Sequence, residues 1–163
     1  MRTGKPRGPA RRRRATTVVS AGGVVFRKGH DQIEVVLVGR SAEGLWVLPK
    51  GMSEPGEYLL QTARREVREE TGLEVEVVCP VRELEYSFVS HGVRIRKLVW
   101  HYLLRPVGGD TALHDPEYDL VCWFDLGDAL ERLTHLNERN VLARAAELIR
   151  ALDSDALPGA SAD

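Results

Sequence analysis

Residues 51–73 read GMSEPGEYLLQTARREVREETGL. At about 100° of turn per residue, a helix here puts Glu66, Glu69 and Glu70 on one arc, because they are spaced i, i+3, i+4. Leu59, Leu60, Ala63 and Val67 fall on the neighbouring arc, and Arg64, Arg65 and Arg68 on the side away from both. The acids therefore stand at the edge of the apolar face, where mutual repulsion and desolvation call for a cation. Arg65 can reach Glu69 one turn on, but three converging carboxylates suit a hard divalent ion better. Glutamates among arginines at helical spacing are ordinarily just a solvated, salt-bridged face. The preceding turn changes the balance. Gly51, Pro55 and Gly56 build a glycine-bounded turn that delivers the helix, and Gly72 closes it as a C′ residue. A loop with bare carbonyls beside a carboxylate helix outlines a metal and phosphate site.

Outward from this stretch, strands dominate. On the N-terminal side, TTVVSAGGVVFR (residues 16–27) is β-branched and nearly continuous in apolar residues, as a buried strand is. Gly22-Gly23 in its middle fits either close strand packing or the approach of a ligand to the backbone. Ile33 to Val38, running into Gly39-Arg40, is a second strand, and Leu45 to Leu48 a third that Pro49 stops. On the C-terminal side, Glu74 to Val81 alternates as a strand, and Arg82–Val89 and Val93–Leu104 form a hairpin across Ser90-His91-Gly92. That hairpin mixes Tyr86, Phe88, Trp100 and Tyr102 with Arg94, Arg96, Lys97 and His101, which suits cross-strand packing or stacking of a base beside phosphates. A loop from Pro106 to Pro116 leads to Glu117, Asp119 and the strand Val121–Phe124. Helices are expected over 125–133 and 137–152, the second with Leu142, Ala145, Ala146 and Ile149 on one stripe.

The chain of 163 residues fits one domain, and its 43% hydrophobic and 29% charged residues are ordinary for a soluble globular protein. No apolar run approaches the ~18 residues a membrane span needs, and no apolar stretch follows the first arginines as in a secretory signal. Cys79 and Cys122 stand far apart without a CxxC partner, as buried thiols do in a reducing, cytoplasmic setting. Seven cations and no acid lie in Met1–Arg14, so the net −1 of the chain conceals about −8 on the remainder. An acidic domain with a basic tail is not a nucleic-acid-binding fold; residues 1–15 are expected to be a disordered tail capable at most of weak contact with a polyanion. The domain is expected over 16–152, with a flexible tail over 153–163.

The central stretch resembles the Nudix box: Gly, five residues, Glu, seven residues, Arg-Glu, an apolar residue, any residue, Glu-Glu, any residue, Gly, an apolar residue. Gly51, Glu57, Arg65-Glu66-Val67, Glu69-Glu70 and Gly72-Leu73 meet it without departure. The resemblance implies an α/β fold, a curved mixed sheet sandwiched between helices, and an enzyme hydrolysing a diphosphate bond with Mg²⁺, or Mn²⁺ in its place. It implies that Gly51, Glu66 and Glu70 ligate the metal, with Glu69 as the general base or a further ligand, and Glu117, ahead of Asp119, as a completing acid. Arg65 would pin its neighbours and Glu57 would orient the loop. Together with Ser20–Gly23, Trp46–Gly51 and Arg94–Leu104, the box is most similar to bacterial diadenosine tetraphosphate hydrolases. In that light Tyr86 stacks adenine, and Lys50, Arg40, Lys97 and His101 are the further substrate contacts, the products being ATP and AMP. An oxidised nucleoside triphosphate, a diphosphoinositol polyphosphate and a non-catalytic nucleotide-sensing module are the alternatives. The implied partner is a small nucleotide, on a monomer or homodimer with no membrane.

Overall fold

A computed structural model describes residues 15–155; the basic stretch 1–14 and residues 156–163 lie outside the described residues. Seven strands and three helices follow one another as β1 (Thr16–Lys28), β2 (Ile33–Arg40), β3 (Leu45–Val47), β4 (Lys50–Met52), α1 (Leu59–Thr71), β5 (Leu73–Ser90), β6 (Val93–Gly109), β7 (Leu120–Asp125), α2 (Leu126–Arg132) and α3 (Leu136–Asp155). The sheet is mixed. β1 runs parallel to β6 and antiparallel to β2 and β4, while β3 and β7 flank β2 and β5 flanks β6.

Alternation along β1 splits the core in two. Ala21 and Val25 point to α1, joining Ala63, Val67, Val36 and Leu104. Val24 and Phe26 point the other way, to Leu142, Ala145 and Ile149 of α3, with Leu37 and Leu103. Helices therefore cover both faces, the α-β-α sandwich expected from the sequence.

Of the two readings of Gly22-Gly23, close strand packing holds: a Cβ on Gly22 would lie 2.1 Å from the Pro49 carbonyl oxygen, and one on Gly23 would lie 1.9 Å from that of Tyr102. Three details differ from the sequence reading. Lys50–Met52 is not loop but a strand paired with Ser20–Gly22. Glu74–Val81 and Arg82–Val89 are one strand, β5, because register shifts at Val77/Cys79 and Pro80/Arg82 accommodate Pro80, which cannot donate to the ladder. Finally, α3 runs to Asp155, three residues into the stretch expected to be flexible. The hairpin turn is as expected: His91 (φ 49°) and Gly92 (φ 74°) both take the positive φ that a two-residue turn of this hand requires.

Candidate active site

The turn before α1 is held by its own side chains. Gly56 takes φ 84°, and the Glu54 amide donates to Glu57 Oε2 at 3.0 Å. Gln61 reaches back to accept from the Tyr58 amide at 2.9 Å, satisfying one of the donors the helix start leaves free. At the other end Gly72 (φ 77°) donates to the Arg68 carbonyl, as the C′ position predicts.

Arg65 turns inward rather than away from the acids. Its Nε donates to Glu57 Oε1 at 2.6 Å, Nη1 to Glu66 Oε1 at 2.9 Å and to Glu69 Oε2 at 3.2 Å, and Nη2 to the Met52 carbonyl at 2.8 Å. The planar fork of the guanidinium permits this many-sided grip. Bonding to Arg65 and to the Glu54 amide holds the Glu57 carboxyl down at about 2. Burial instead pushes Glu66 above the usual carboxylate range, against the pull of Arg65.

Glu70 lies deepest. It is 1% exposed, accepts only from the Lys50 amide at 3.0 Å, and has no lysine or arginine within ion-pair reach among the described residues. Burial, with the charges of Glu117 and Glu66 adding to it, raises its pKa to about 9. The Glu66 carboxyl packs against Gly51 so closely that a Cβ there would lie 2.1 Å from its carboxyl carbon, which leaves the backbone of Gly51 bare to the acids. Among the described residues, no three His, Cys, Asp or Glu side chains already form a finished metal cage. Even so, a buried carboxylate without a cation, two acids that raise its pKa further, and a glycine cradle form a donor set that fits a hard divalent ion.

The other residues singled out in the sequence divide into two groups. Lys50, Tyr86 and His101 line one cavity of about 620 Å³, nucleotide-sized, between the sheet and the start of α3. Lys97 stands opposite Tyr86 in the β5–β6 ladder, half-buried, its pKa lowered by burial and by the charge of Lys50. His101 is 1% exposed, with neither ring nitrogen partnered, and burial together with Lys50 pushes it down to about 4. Arg40 is not on the cavity wall. Its guanidinium lies over the Tyr118 ring at 4.9 Å and donates to the Glu117 carbonyl at 3.3 Å, so it fastens the Glu117 loop. Asp119 is committed elsewhere, accepting from the Ser41 amide and hydroxyl. Cys79 and Cys122 are free and half-buried rather than buried.

Two cavity residues escape a sequence reading. Tyr118 is 8% exposed, and nothing in its local sequence marks it. Glu138 is 4% exposed and accepts from the Leu48 amide at 2.8 Å. It had a signal: it is in phase with Val141, Leu142 and Ala145, an acid on the apolar stripe of α3.

By fold and site this is an α/β domain whose acidic helix and glycine-edged strand sit beside a nucleotide-sized cavity. The NUDIX domain model matches residues 16–145, and the chain belongs to the Nudix family. It is 40% identical over 161 residues to a Mycobacterium tuberculosis (strain CDC 1551 / Oshkosh) protein that carries the name mutator protein MutT4, covering 94% of this chain and 64% of the relative. It is 31% identical over 137 residues to an 8-oxo-(d)GTP phosphatase of Mycolicibacterium smegmatis, covering 78% of this chain and 41% of that one. The chain thus spans less than two thirds of the length of these relatives. Among solved structures, a C. elegans Ap4A hydrolase binary complex superimposes with a TM-score of 0.62 at 23% identity, covering 82% of this chain and 98% of that one, a likeness of fold. No helix among the described residues is long and apolar enough to cross a membrane.

Proposed function

We propose that this domain hydrolyses a diphosphate bond in a nucleoside polyphosphate, with Mg²⁺ or Mn²⁺ as cofactor. The observation that carries the reading is the cluster of four glutamates, Glu57, Glu66, Glu69 and Glu70, gathered by Arg65 and the Lys50 amide against Gly51 beside the cavity. Glu66, Glu70 and the Gly51 carbonyl would hold the cation, with Glu117 completing the set. Bound there, a divalent ion supplies charge that neutralises phosphate oxygens and makes an attacking water more acidic.

The chain's own residues do the rest. Glu69 is the natural base: its side chain is 42% exposed, and its contact with Arg65 is the longer one at 3.2 Å, so an oxygen is free to take a proton from water. Glu66, tied at 2.9 Å and packed on Gly51, is less free to do so. Arg65 and Glu57 position the acids. Lys50 offers its ammonium to phosphate oxygens, His101 lines the same cavity from β6 with Lys97 four residues before it on that strand, and Tyr86 offers a ring for the base.

For the substrate we put an oxidised guanine nucleotide first, since relatives above 30% identity carry the mutator and 8-oxo-(d)GTP phosphatase names. Diadenosine tetraphosphate stands second, on the shared placement of Tyr86, Lys97 and His101. A diphosphoinositol polyphosphate would need more cations than Lys50 and Lys97 supply, and a pure sensor would need no base at Glu69. The test is a panel of 8-oxo-dGTP, dGTP and diadenosine tetraphosphate with Mg²⁺, Mn²⁺ or chelator. Metal-dependent release of pyrophosphate or phosphate, fastest from 8-oxo-dGTP, is expected. Faster release of ATP plus AMP would exchange the two substrates, and no turnover of any of them would overturn the enzymatic reading.

A further inference from the structure

Glu138 has no part in the chemistry above, and its burial needs a reason. One oxygen, Oε2, accepts from the Leu48 amide; Oε1 has no hydrogen-bond partner among the described residues, and the side chain lines the cavity. A carboxylate out of water costs several kcal/mol unless its charge is answered, and an uncharged amide would brace Leu48 equally well. Burial raises the pKa of Glu138, and the Leu48 amide, the charge of Lys50 and the residue's own place in the first turn of α3 oppose that rise without using Oε1. His101 faces the same space with both ring nitrogens unpartnered. Two buried polar groups waiting on one cavity wall describe a reader of hydrogen bonds rather than a brace.

The ligand follows from charge. Phosphates belong beside Lys50 and the Arg65 cluster and would be repelled by Glu138, so a nucleotide must turn its base towards that end. A carboxylate accepts hydrogen bonds and donates none when ionised. Guanine presents two adjacent donors on one edge, N1–H and the 2-amino group, beside the O6 acceptor. Adenine presents a lone pair at N1, which a carboxylate repels. We propose that Glu138 selects guanine-type bases over adenine by accepting from N1–H and the 2-amino group, with His101 available to O6. This rests on the nucleotide-hydrolase reading for the identity of the ligand class, yet it needs no turnover to be tested. A site built to bond a polar edge discriminates strongly against a ligand that leaves its groups unpaired.

The experiment is calorimetric titration of GMP, IMP and AMP into the wild-type protein and Glu138→Gln. Glu138→Gln keeps an oxygen for the Leu48 amide, and its melting temperature reports whether the fold is retained. Wild type should bind GMP at least tenfold tighter than AMP, with IMP, which lacks the 2-amino group, in between. The variant should bring the GMP-to-AMP ratio below threefold by losing GMP affinity. Equal binding of GMP and AMP by wild type overturns the proposal without recourse to any variant, as does an unchanged ratio in a folded Glu138→Gln. Selective binding of GMP by a protein that turns over no polyphosphate would sink the enzymatic reading alone, whereas turnover with indifferent binding would sink only this one.

Discussion

Glu70 and Arg65 show how single residues divide the labour of the site. Arg65 neutralises three carboxylates at the surface of the cluster, while Glu70, beneath them, has only an amide for a partner. In Glu70→Gln the amide oxygen still accepts from the Lys50 amide, so the fold is kept while the carboxyl group that would hold the cation is lost. A fall in kcat of several orders of magnitude is expected, with the melting temperature lowered by no more than a few degrees; activity within tenfold of wild type would remove Glu70 from the site. His101 yields a prediction about pH. Burial depresses its pKa to about 4, whereas an unfolded histidine titrates near 6.5. It therefore costs nothing above pH 6.5, and stability is lost as pH falls from about 6.5 towards 4, by up to roughly 3 kcal/mol. Urea midpoints at pH 7.5 and pH 5 should move less in His101→Gln than in wild type, and an equal movement would argue that the imidazole is not held neutral by its surroundings.

At the level of elements, the meeting of β4 with α1 is what aims the acids. Gly51 pairs with Ala21 in the sheet and leaves no room above it, because the Glu66 carboxyl fills that space. Gly51→Ala should displace Glu66 and raise the Mg²⁺ concentration for half-maximal activity at least tenfold, with little change in the circular dichroism spectrum. A wild-type metal dependence would show that Glu66 needs no such contact. These elements were unequally legible in the sequence. The bounds of α1 could be read because Pro55-Gly56 and Gly72 are local signals whose backbone preferences need no neighbours. The strand at Lys50–Met52 could not, since it exists only through its pairing with β1. The break expected between Val81 and Arg82 is overridden by the ladder to β6. Helical spacing set Arg65 on the side away from the acids, and only its reach to Glu69 and the resemblance pointed it back to them, because spacing gives the direction of a Cβ and not the reach of a long side chain.

For the whole molecule, strand patterning alone gave strands alternating with a few helices, the resemblance carried by the box supplied the sandwich, and the cavity was not readable. Its walls come from β3, β4, β5, β6, the Tyr118 loop and α3, and no local pattern announces which side chains meet across such separations. The apolar stripe of α3 marked the side that packs on the sheet and, read for its one acid, would have marked Glu138 too. The core facing α3 should be the more sensitive one to truncation, since it carries Leu37, Leu103 and Leu142, all fully buried. Leu103→Ala is expected to cost about 2–5 kcal/mol, lowering the melting temperature by roughly 5–15 °C for a chain of this size. A shift under 2 °C would mean the cavity collapses without penalty.

The parallel pairing of β1 with β6 joins Thr16 to Ile95 and Val25 to Leu104. During synthesis, the first strand must therefore leave the ribosome and wait, its apolar residues unsheltered, until the far hairpin has emerged. Contacts this distant along the chain are slow to form, so a nascent chain halted before β6 should be a ready client for chaperones, and one halted after it should not.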